Sequence, residues 1–376
     1  MEFRDIGRTG LRSTILGFGA MRIPDSPPDE AIATVRRAVE LGINYIETSP
    51  GYGDSEVHIG QALEGVDKSD LIISTKSHVG GDKTAWAVRR KMERSLERLK
   101  VDHLRFYQMW GINNLDLFAE VTKPGGPLEG ARQGRAEGLI DHIGFTTHAQ
   151  PEEIITMLES GEFESVSLLH NIIDRRALPA IQRAGELGIG VVHMTPLSQG
   201  MLANPSPTLC EAYAPFTPRE IALHYLASLL QTSTIIAGPK NRIELEQNVM
   251  AMEAFAGWTE QHQEAFLHAE GYYDRLGPDY CTLCRECMPC PENVNIPELL
   301  RLNNLLVAFE LESYCRDRYA FMGNGGTWFP GVKADQCTKC GICEERCPKK
   351  LRVIELLDGL HDRLYAGDRG RLSSDD

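Results

Sequence analysis

Eight of the ten cysteines fall into two groups between residues 281 and 347. The first is Cys281, Cys284, Cys287 and Cys290, closed by Pro291; the second is Cys337, Cys340, Cys343 and Cys347, closed by Pro348. The second group is spaced C-x2-C-x2-C-x3-C-P, the run that wraps a [4Fe-4S] cluster: three close thiolates bind three irons, and the fourth ligates the other cluster of a pair. That rule puts Cys281, Cys284, Cys287 and Cys347 on one cluster, and Cys290, Cys337, Cys340 and Cys343 on the other. The first run is one residue short, with only Met288 and Pro289 between its last two cysteines, so one or two clusters are expected. Zinc and disulfides are the competing uses of these thiols. Structural zinc takes four thiolates per ion from paired loops, not a run of four followed by proline. Disulfides belong to oxidising compartments, and C-x2-C pairs concentrated in one region of an intracellular chain indicate metal. Cys210 and Cys315 have no partner at ligand spacing and read as ordinary thiols.

A second constellation stands earlier in the chain. Glu47, Tyr52, Lys76 and Trp110 each lie at or just beyond the end of a short apolar run. A carboxylate can hold an ammonium by charge, and an ammonium can stabilise a phenolate, lowering the pKa of Tyr52 toward the range of a general acid. Three histidines, His148, His170 and His193, also end apolar runs. A catalytic metal on that trio is a weaker alternative, because adjacent strand positions point opposite ways.

The elements that must position these groups alternate. Phe3–Gly7 and Ser13–Phe18, joined across residues 8–11, read as a hairpin leading into a first buried strand. Residues 14–18, 43–48, Leu71–Thr75, His103–Met109, His142–Thr146, Ser165–Leu169, Gly190–Met194 and Thr234–Ala237 give eight short apolar strands suited to a covered parallel sheet. Helical patterns intervene, such as Asp29–Leu41 and Thr84–Leu99, the latter with Val88, Met92, Leu96 and Leu99 in one stripe. Junctions at Gly42, Gly138 and Gly188 repeat one pattern of helix end, left-handed glycine and immediate strand. The economical fold is α/β: a (β/α)8 TIM barrel over 1–258, whose chemistry belongs at the C-terminal strand ends. A helical connector over 259–280 leads to a small, mainly helical ferredoxin-type iron-sulfur domain over 281–360, with a polar, disordered tail at 361–376. A doubly wound sheet is disfavoured because no G-x-G-x-x-G follows the first strand. Gly200–Pro218 carries four prolines between a strand and its helix and suits a substrate lid. Gly323–Gly326 reads as a turn. Ile296–Glu312 reads as one helix between the cysteine runs.

Residues Asn44–Glu56 (NYIETSPGYGDSE) closely resemble the signature of the aldo-keto reductases, and the resemblance continues through Ser74–Lys76, Asp102–Gly111, Ile143–His148, Met194–Ser198 and Ile236–Asn248. With the cysteine runs, it points to a branch carrying a C-terminal ferredoxin-type domain. What it implies is an oxidoreductase in which a tyrosine protonates a carbonyl oxygen while NADH or NADPH delivers hydride, assisted by a lysine, an aspartate and a histidine. Tyr52 and Lys76 match. Glu47 stands at the aspartate position, one methylene longer, and Trp110 at the histidine position, where an indole N–H can donate a hydrogen bond but cannot titrate. The resemblance further implies that Thr147, His148, Asn171, Met194, Pro196, Leu197 and Ser198 line the nicotinamide site. Gly238, Lys240 and Arg242 open onto a helix N-terminus and read as a phosphate site, completed by Asn248. Glu244 replaces the arginine of NADP-preferring relatives, so NAD and NADP both stay open.

Composition bounds the partners. The chain has 376 residues with 39 basic and 53 acidic side chains, a net charge of −14, which repels phosphate backbones and anionic membranes. Nucleic acid and membrane partners are not expected. A small-molecule substrate is, with a redox partner protein, a flavoprotein or a ferredoxin, for the clusters. The contrasting reading is a degenerate barrel acting as an electron-transfer or sensing subunit. The charged start Met1–Asp5 lacks the apolar core of a signal peptide, so a cytoplasmic location is expected.

Overall fold

The computed structural model describes residues 1–324 and 329–367. The second half of the expected 323–326 turn and the tail from residue 368 lie outside the described residues. The described residues form two compact units, one of residues 1–202 with 219–258, the other of residues 203–218 with 259–367.

In the first unit, β1 (Phe3–Asp5) and β2 (Arg12–Thr14) form an antiparallel hairpin. Eight parallel strands follow: β3 (Leu16–Gly19), β4 (Tyr45–Glu47), β5 (Ile72–His78), β6 (Leu104–Trp110), β7 (Ile140–Thr147), β8 (Ser165–Leu169), β9 (Gly190–Met194) and β10 (Thr232–Ala237). Each pairs with the next, and β10 closes onto β3, so the barrel is complete. Closure leaves no free sheet edge, and the strands read as apolar runs because helices cover their outer face. Inside, Tyr45, Ile72, Phe106, Val192 and Ile236 form a buried layer with Ile6 of the hairpin turn. Gly42, Gly138 and Gly188 all take left-handed φ, at 84°, 76° and 67°, so the recurring junction is one turn used three times. Thr84 caps the helix Ala85–Leu99 by accepting the Ala87 N–H.

The second unit is helical. Residues 203–218, expected as a lid, carry a short helix, Pro207–Ala212, and belong here. The Ser206 hydroxyl donates to the Phe309 carbonyl, and His268 contacts the Ala212 carbonyl. The expected connector is the helix Glu260–Gly271 followed by a 3-10 segment, Tyr272–Asp279. The expected single helix over 296–312 is two, Ile296–Phe309 and Glu312–Phe321, because Glu310 turns left-handed at φ 56°. A last helix, Val353–Leu364, carries order past residue 360, where the polar composition had suggested a tail. Its stripe of Val353, Leu357, Leu360 and Leu364 is buried. No helix among the described residues is long and apolar enough to cross a membrane.

Candidate functional site

Strand alternation explains why four of the rim side chains meet. Glu47, Lys76, His78 and Trp110 each lie an even number of residues beyond Tyr45, Ile72 or Phe106, the inner-layer residues of their strands, and so face the barrel axis. Lys76 and Glu47, 2% and 6% exposed, form an ion pair in contact. The Lys76 Nζ lies 4.5 Å from the centroid of the Tyr52 ring and 5.6 Å from that of Trp110. The two rings meet edge to face at 5.9 Å. Gly51 presses on the indole so closely that a Cβ there would come within 2.9 Å of it.

The electrostatics correct one expectation. Tyr52 is raised, not lowered, from its ordinary phenol range, and burial is the cause. Lys76 approaches the face of its ring and is committed to Glu47, with no hydrogen bond to the hydroxyl among the described residues. Burial also pulls Lys76 well below the ordinary ammonium range. Contact with Glu47 is what opposes that pull. The site therefore holds a protonated phenol, the form a proton donor needs.

Of the three histidines, two leave the rim. His193 follows inward-facing Val192, so it points outward, where its Nε2 meets the Thr232 hydroxyl at 2.9 Å. His170 meets the Tyr225 hydroxyl at 3.1 Å, and its ring lies 5.8 Å from that of His193. Burial pushes His170 down to about 4 and His193 well down. His148 is separate, its backbone N–H held by Asn113. With His193 and His170 turned away from the axis and His148 apart from both, the three imidazoles do not converge on one point, so the rim is not a three-histidine metal site.

The residues expected at the cofactor divide into two sets. Met194 packs on the inner layer of the barrel. Beyond it, Thr195, Ser198, Gln199 and Gly200 take φ of 54°, 46°, 58° and 96°, so the loop holding Pro196, Leu197 and Ser198 turns tightly on itself, the Ser198 N–H donating to the Thr195 carbonyl and the Gly200 N–H to that of Leu197. Thr147 and Asn171 spend their side chains locally: Thr147 donates to the Ile112 carbonyl, and Asn171 donates to the Thr195 carbonyl while accepting the Ile173 and Asp174 N–H groups. Around Gly238 both guanidinium groups are already paired. Glu30 takes both the N–H and the guanidinium of Arg242, and Glu244 takes the Lys240 N–H at 3.1 Å and the Arg22 guanidinium at 3.0 Å. Asn248 accepts from Arg219. Arg22, Glu30 and Arg219 had no signal in the sequence, because they come from distant elements. His78 had one: it lies two residues beyond Lys76 on the same strand.

The cysteine runs fold as twins. Cys281 and Cys337 each accept the N–H of the residue two places on, Leu283 and Lys339, at 3.4 Å. Those residues are left-handed, at φ 59° and 57°, and so are Arg285 and Gly341, at 66° and 81°, and Asn293 and Lys350, at 55° and 53°. A helix begins six residues after the last cysteine of each run, at Ile296 and Val353. The missing residue in the first run does not break the pattern. Cys287, Cys290, Cys337, Cys340 and Cys343 line one cavity, and Cys281 lies within electrostatic reach of Cys284 and Cys347. Burial and neighbouring thiols push Cys287 up to about 12 and Cys343 up to about 11. A cation-rich guest is what would hold such thiols deprotonated. Zinc, with Zn–S bonds of about 2.3 Å, would draw its sulfurs onto one point; thiols spread around a cavity suit a polynuclear group, and the donor set fits iron-sulfur.

Comparisons with known proteins agree with this geometry. The Aldo/keto reductase family model matches residues 15–264, and a 4Fe-4S dicluster domain model matches residues 280–351. L-galactose dehydrogenase of Arabidopsis thaliana is 29% identical over 291 residues, covering 67% of this chain and 88% of the relative. NADH-specific methylglyoxal reductase of Escherichia coli is 27% identical over 233 residues, covering 56% of this chain and 68% of the relative. Among solved structures, the holo form of aldo-keto reductase AKR11C1 from Bacillus halodurans superposes with a TM-score of 0.63 at 25% identity, covering 71% of this chain and 95% of that one.

Proposed function

The chain belongs to the aldo/keto reductase family and carries a 4Fe-4S dicluster domain, and from that membership we propose that it reduces a small carbonyl compound with NADH. The observation that carries this reading is the packed trio of Glu47, Lys76 and Tyr52 at the C-terminal rim. Bound, the dinucleotide supplies hydride to the carbonyl carbon. Tyr52, kept protonated by burial, gives its proton to the carbonyl oxygen. Lys76, held by Glu47 under the phenol ring, stabilises the phenolate left behind. Trp110 walls the substrate space.

NADH is favoured over NADPH because Glu30 and Glu244 already take the Arg242 and Arg22 guanidinium groups and the Lys240 backbone N–H where a 2′-phosphate would need donors. The E. coli relative is named for NADH and for methylglyoxal, a small carbonyl. The eight cysteines would hold one or two [4Fe-4S] clusters, each passing one electron, with a flavoprotein or ferredoxin as the partner that joins one-electron to two-electron chemistry. A cytoplasmic location goes with this reading, since these thiols must stay reduced.

Single-turnover oxidation of bound NADH with a panel of small aldehydes and ketones, under anaerobic conditions, tests the proposal. Oxidation with at least one of them is expected. If neither dinucleotide binds, the reductase reading fails. The observation favouring the contrasting reading, a degenerate barrel serving electron transfer, is Trp110 at the family's histidine position. Cluster reduction by a partner without any dehydrogenase activity would support it.

A further inference from the structure

The two cysteine runs are twins in backbone and opposites in charge. Cys290 is followed by Pro291, Glu292 and Asn293, whereas Cys347 is followed by Pro348, Lys349 and Lys350. Asn293 and Lys350 make the same left-handed turn, at φ 55° and 53°. Equivalent places thus carry a carboxylate and an amide at one end of the module and two ammonium groups at the other. Arg346, just before Cys347, adds a third cation where the first run has Pro289. All three cations are exposed.

Neutral groups hold these cations in place. The Arg346 guanidinium donates to the Met288 and Pro289 carbonyls, both at 3.4 Å, and so reaches across to the first run. Lys350 donates to the Glu345 carbonyl at 2.9 Å, and the Lys349 Nζ lies 4.9 Å from the centroid of the Tyr280 ring, beside Cys281. None of the three forms an ion pair among the described residues, although Glu286 and Glu345 are exposed in the same runs. Lys339, between Cys337 and Cys340, is instead neutralised by Asp358 at 2.8 Å. A carbonyl or a ring positions a cation without cancelling its charge. The collar surrounds one set of thiols, since Cys281 lies within electrostatic reach of Lys349, Cys284 and Cys347, and Cys284 of that set is exposed. In a chain of net charge −14, an extended anion such as a phosphate backbone or a lipid surface is repelled by the rest of the molecule. A small acidic protein can meet the collar alone.

Resting on the reading that the clusters pass single electrons, we propose that Arg346, Lys349 and Lys350 dock an acidic one-electron carrier protein, so that electrons cross at the Cys281, Cys284 and Cys347 end of the module and not at the Glu292 end. One electron leaves the reduced cluster and the carrier takes it; no atom and no proton moves. Charge complementarity of this kind acts chiefly on the rate of encounter and on which partner is accepted. A basic carrier gains nothing from the collar.

The probe is rubredoxin, a small acidic carrier, and the control is cytochrome c, a basic one. Zinc-substituted rubredoxin exchanges no electrons, so calorimetry with the anaerobic, iron-loaded full chain reads docking alone. Binding is expected at about 0.01 M salt and should weaken about tenfold at about 0.15 M, where the Debye length has fallen from about 30 Å to about 8 Å. Reversing two cations together, Lys349→Glu with Lys350→Glu, should weaken it about tenfold at low salt. Lys83→Glu with Arg94→Glu changes the net charge equally at exposed barrel positions and should stay within about twofold of wild type. No binding by the wild-type chain, equal weakening in both pairs, or equally tight binding of phosphatidylserine vesicles or an oligonucleotide overturns the proposal. Should the glutamate pair fail to hold iron, Lys349→Gln with Lys350→Gln removes the charges without adding carboxylates; about threefold weaker binding is then expected, and unchanged binding overturns the proposal. Stopped-flow mixing of the pre-reduced chain with each native carrier separates this proposal from the reading beneath it. The variant pair should slow reduction of rubredoxin about tenfold and not slow that of cytochrome c; equal slowing of both, or of neither, overturns the docking face alone. A wild-type chain that reduces neither carrier sinks the electron-passing reading and the proposal with it.

Discussion

The barrel rim and the cysteine module assemble their chemistry in opposite ways. At the rim, four side chains arrive from three strands and a loop, over sequence separations that only barrel closure spans: Glu47, Tyr52, Lys76 and Trp110 meet because their strands pair in order and the inner faces agree. In the module, each group of thiols is gathered by a few consecutive turns, and the same left-handed positions recur in both runs. The rim's buried ion pair, Glu47 with Lys76, has both partners supplied by the fold itself. The module gathers thiols that burial pushes up, and so calls for a guest to hold them. A site built by topology should survive loss of its ligand, whereas one built by local turns around a guest should not.

The sharpest way to break this contrast is to remove the guest. Anaerobic protein should be brown, with about four irons per cluster. Chelation of the iron, or Cys343→Ser, should abolish the cooperative melting of the second unit, since structural metal sites commonly contribute about 10 kcal/mol or more of folding free energy. The barrel transition should stay where it was. Calorimetry and iron analysis read both effects. A barrel that melts together with the module would end the comparison.

Next in size is Tyr52→Phe. It deletes the proton donor while keeping the ring against Trp110 and over Lys76, so folding should be unaffected and single-turnover oxidation of NADH by a carbonyl should slow by about 10³-fold. An unchanged rate would remove Tyr52 from the reaction.

How much of each region could be read beforehand follows the same division. The eight strands, the glycine junctions and the rim residues were legible because apolar runs ending in polar residues carry the barrel's period in the sequence. The cross-assignment of Cys290 and Cys347 is an expectation drawn from spacing, and Cys290 lies on one cavity with Cys337, Cys340 and Cys343. The twin turns were not legible, because nothing in residue type singles out Leu283, Arg285, Asn293, Lys339 or Lys350 as left-handed. Nor was the raised Tyr52, since a sequence shows which charged groups accompany a phenol but not how deeply the phenol is buried. The break at Glu310 and the helix after it were hidden by a continuous apolar pattern in Ile296–Glu312. Arg22, Glu30 and Arg219 reach the Gly238 region from far along the chain, a proximity that only the closed fold creates.

A smaller effect separates the regions by pH. His170 is held down to about 4 by burial, below its ordinary 6.5, so the unfolded barrel takes up this proton first as pH falls. Its contribution is complete above about pH 6.5 and is lost progressively down to about pH 4, amounting to about 2 kcal/mol between pH 7.5 and 5. Buried His193 shifts the same way. Urea unfolding of the barrel should therefore weaken on acidification, and His170→Gln should flatten that dependence. An identical pH dependence in the variant would show that the imidazole is not the group titrating.

The smallest change concerns which dinucleotide the barrel prefers. Glu244 lies in the first turn of the helix Arg242–Glu253, where its carboxylate accepts the Lys240 N–H and neutralises Arg22. A 2′-phosphate brought there would meet a carboxylate instead of a donor, and like charges at close range cost more than the contacts they displace. Glu244→Arg reverses the sign at that point and releases both the Lys240 N–H and Arg22. The KM for NADPH should fall by about tenfold, near 1.4 kcal/mol, with a smaller rise in the KM for NADH and little change in kcat, because the altered group stands away from Tyr52. Steady-state kinetics with both dinucleotides measure this. A wild-type chain that already prefers NADPH would mean that the phosphate is held elsewhere, with Arg219 beside Asn248 as the next cation to change.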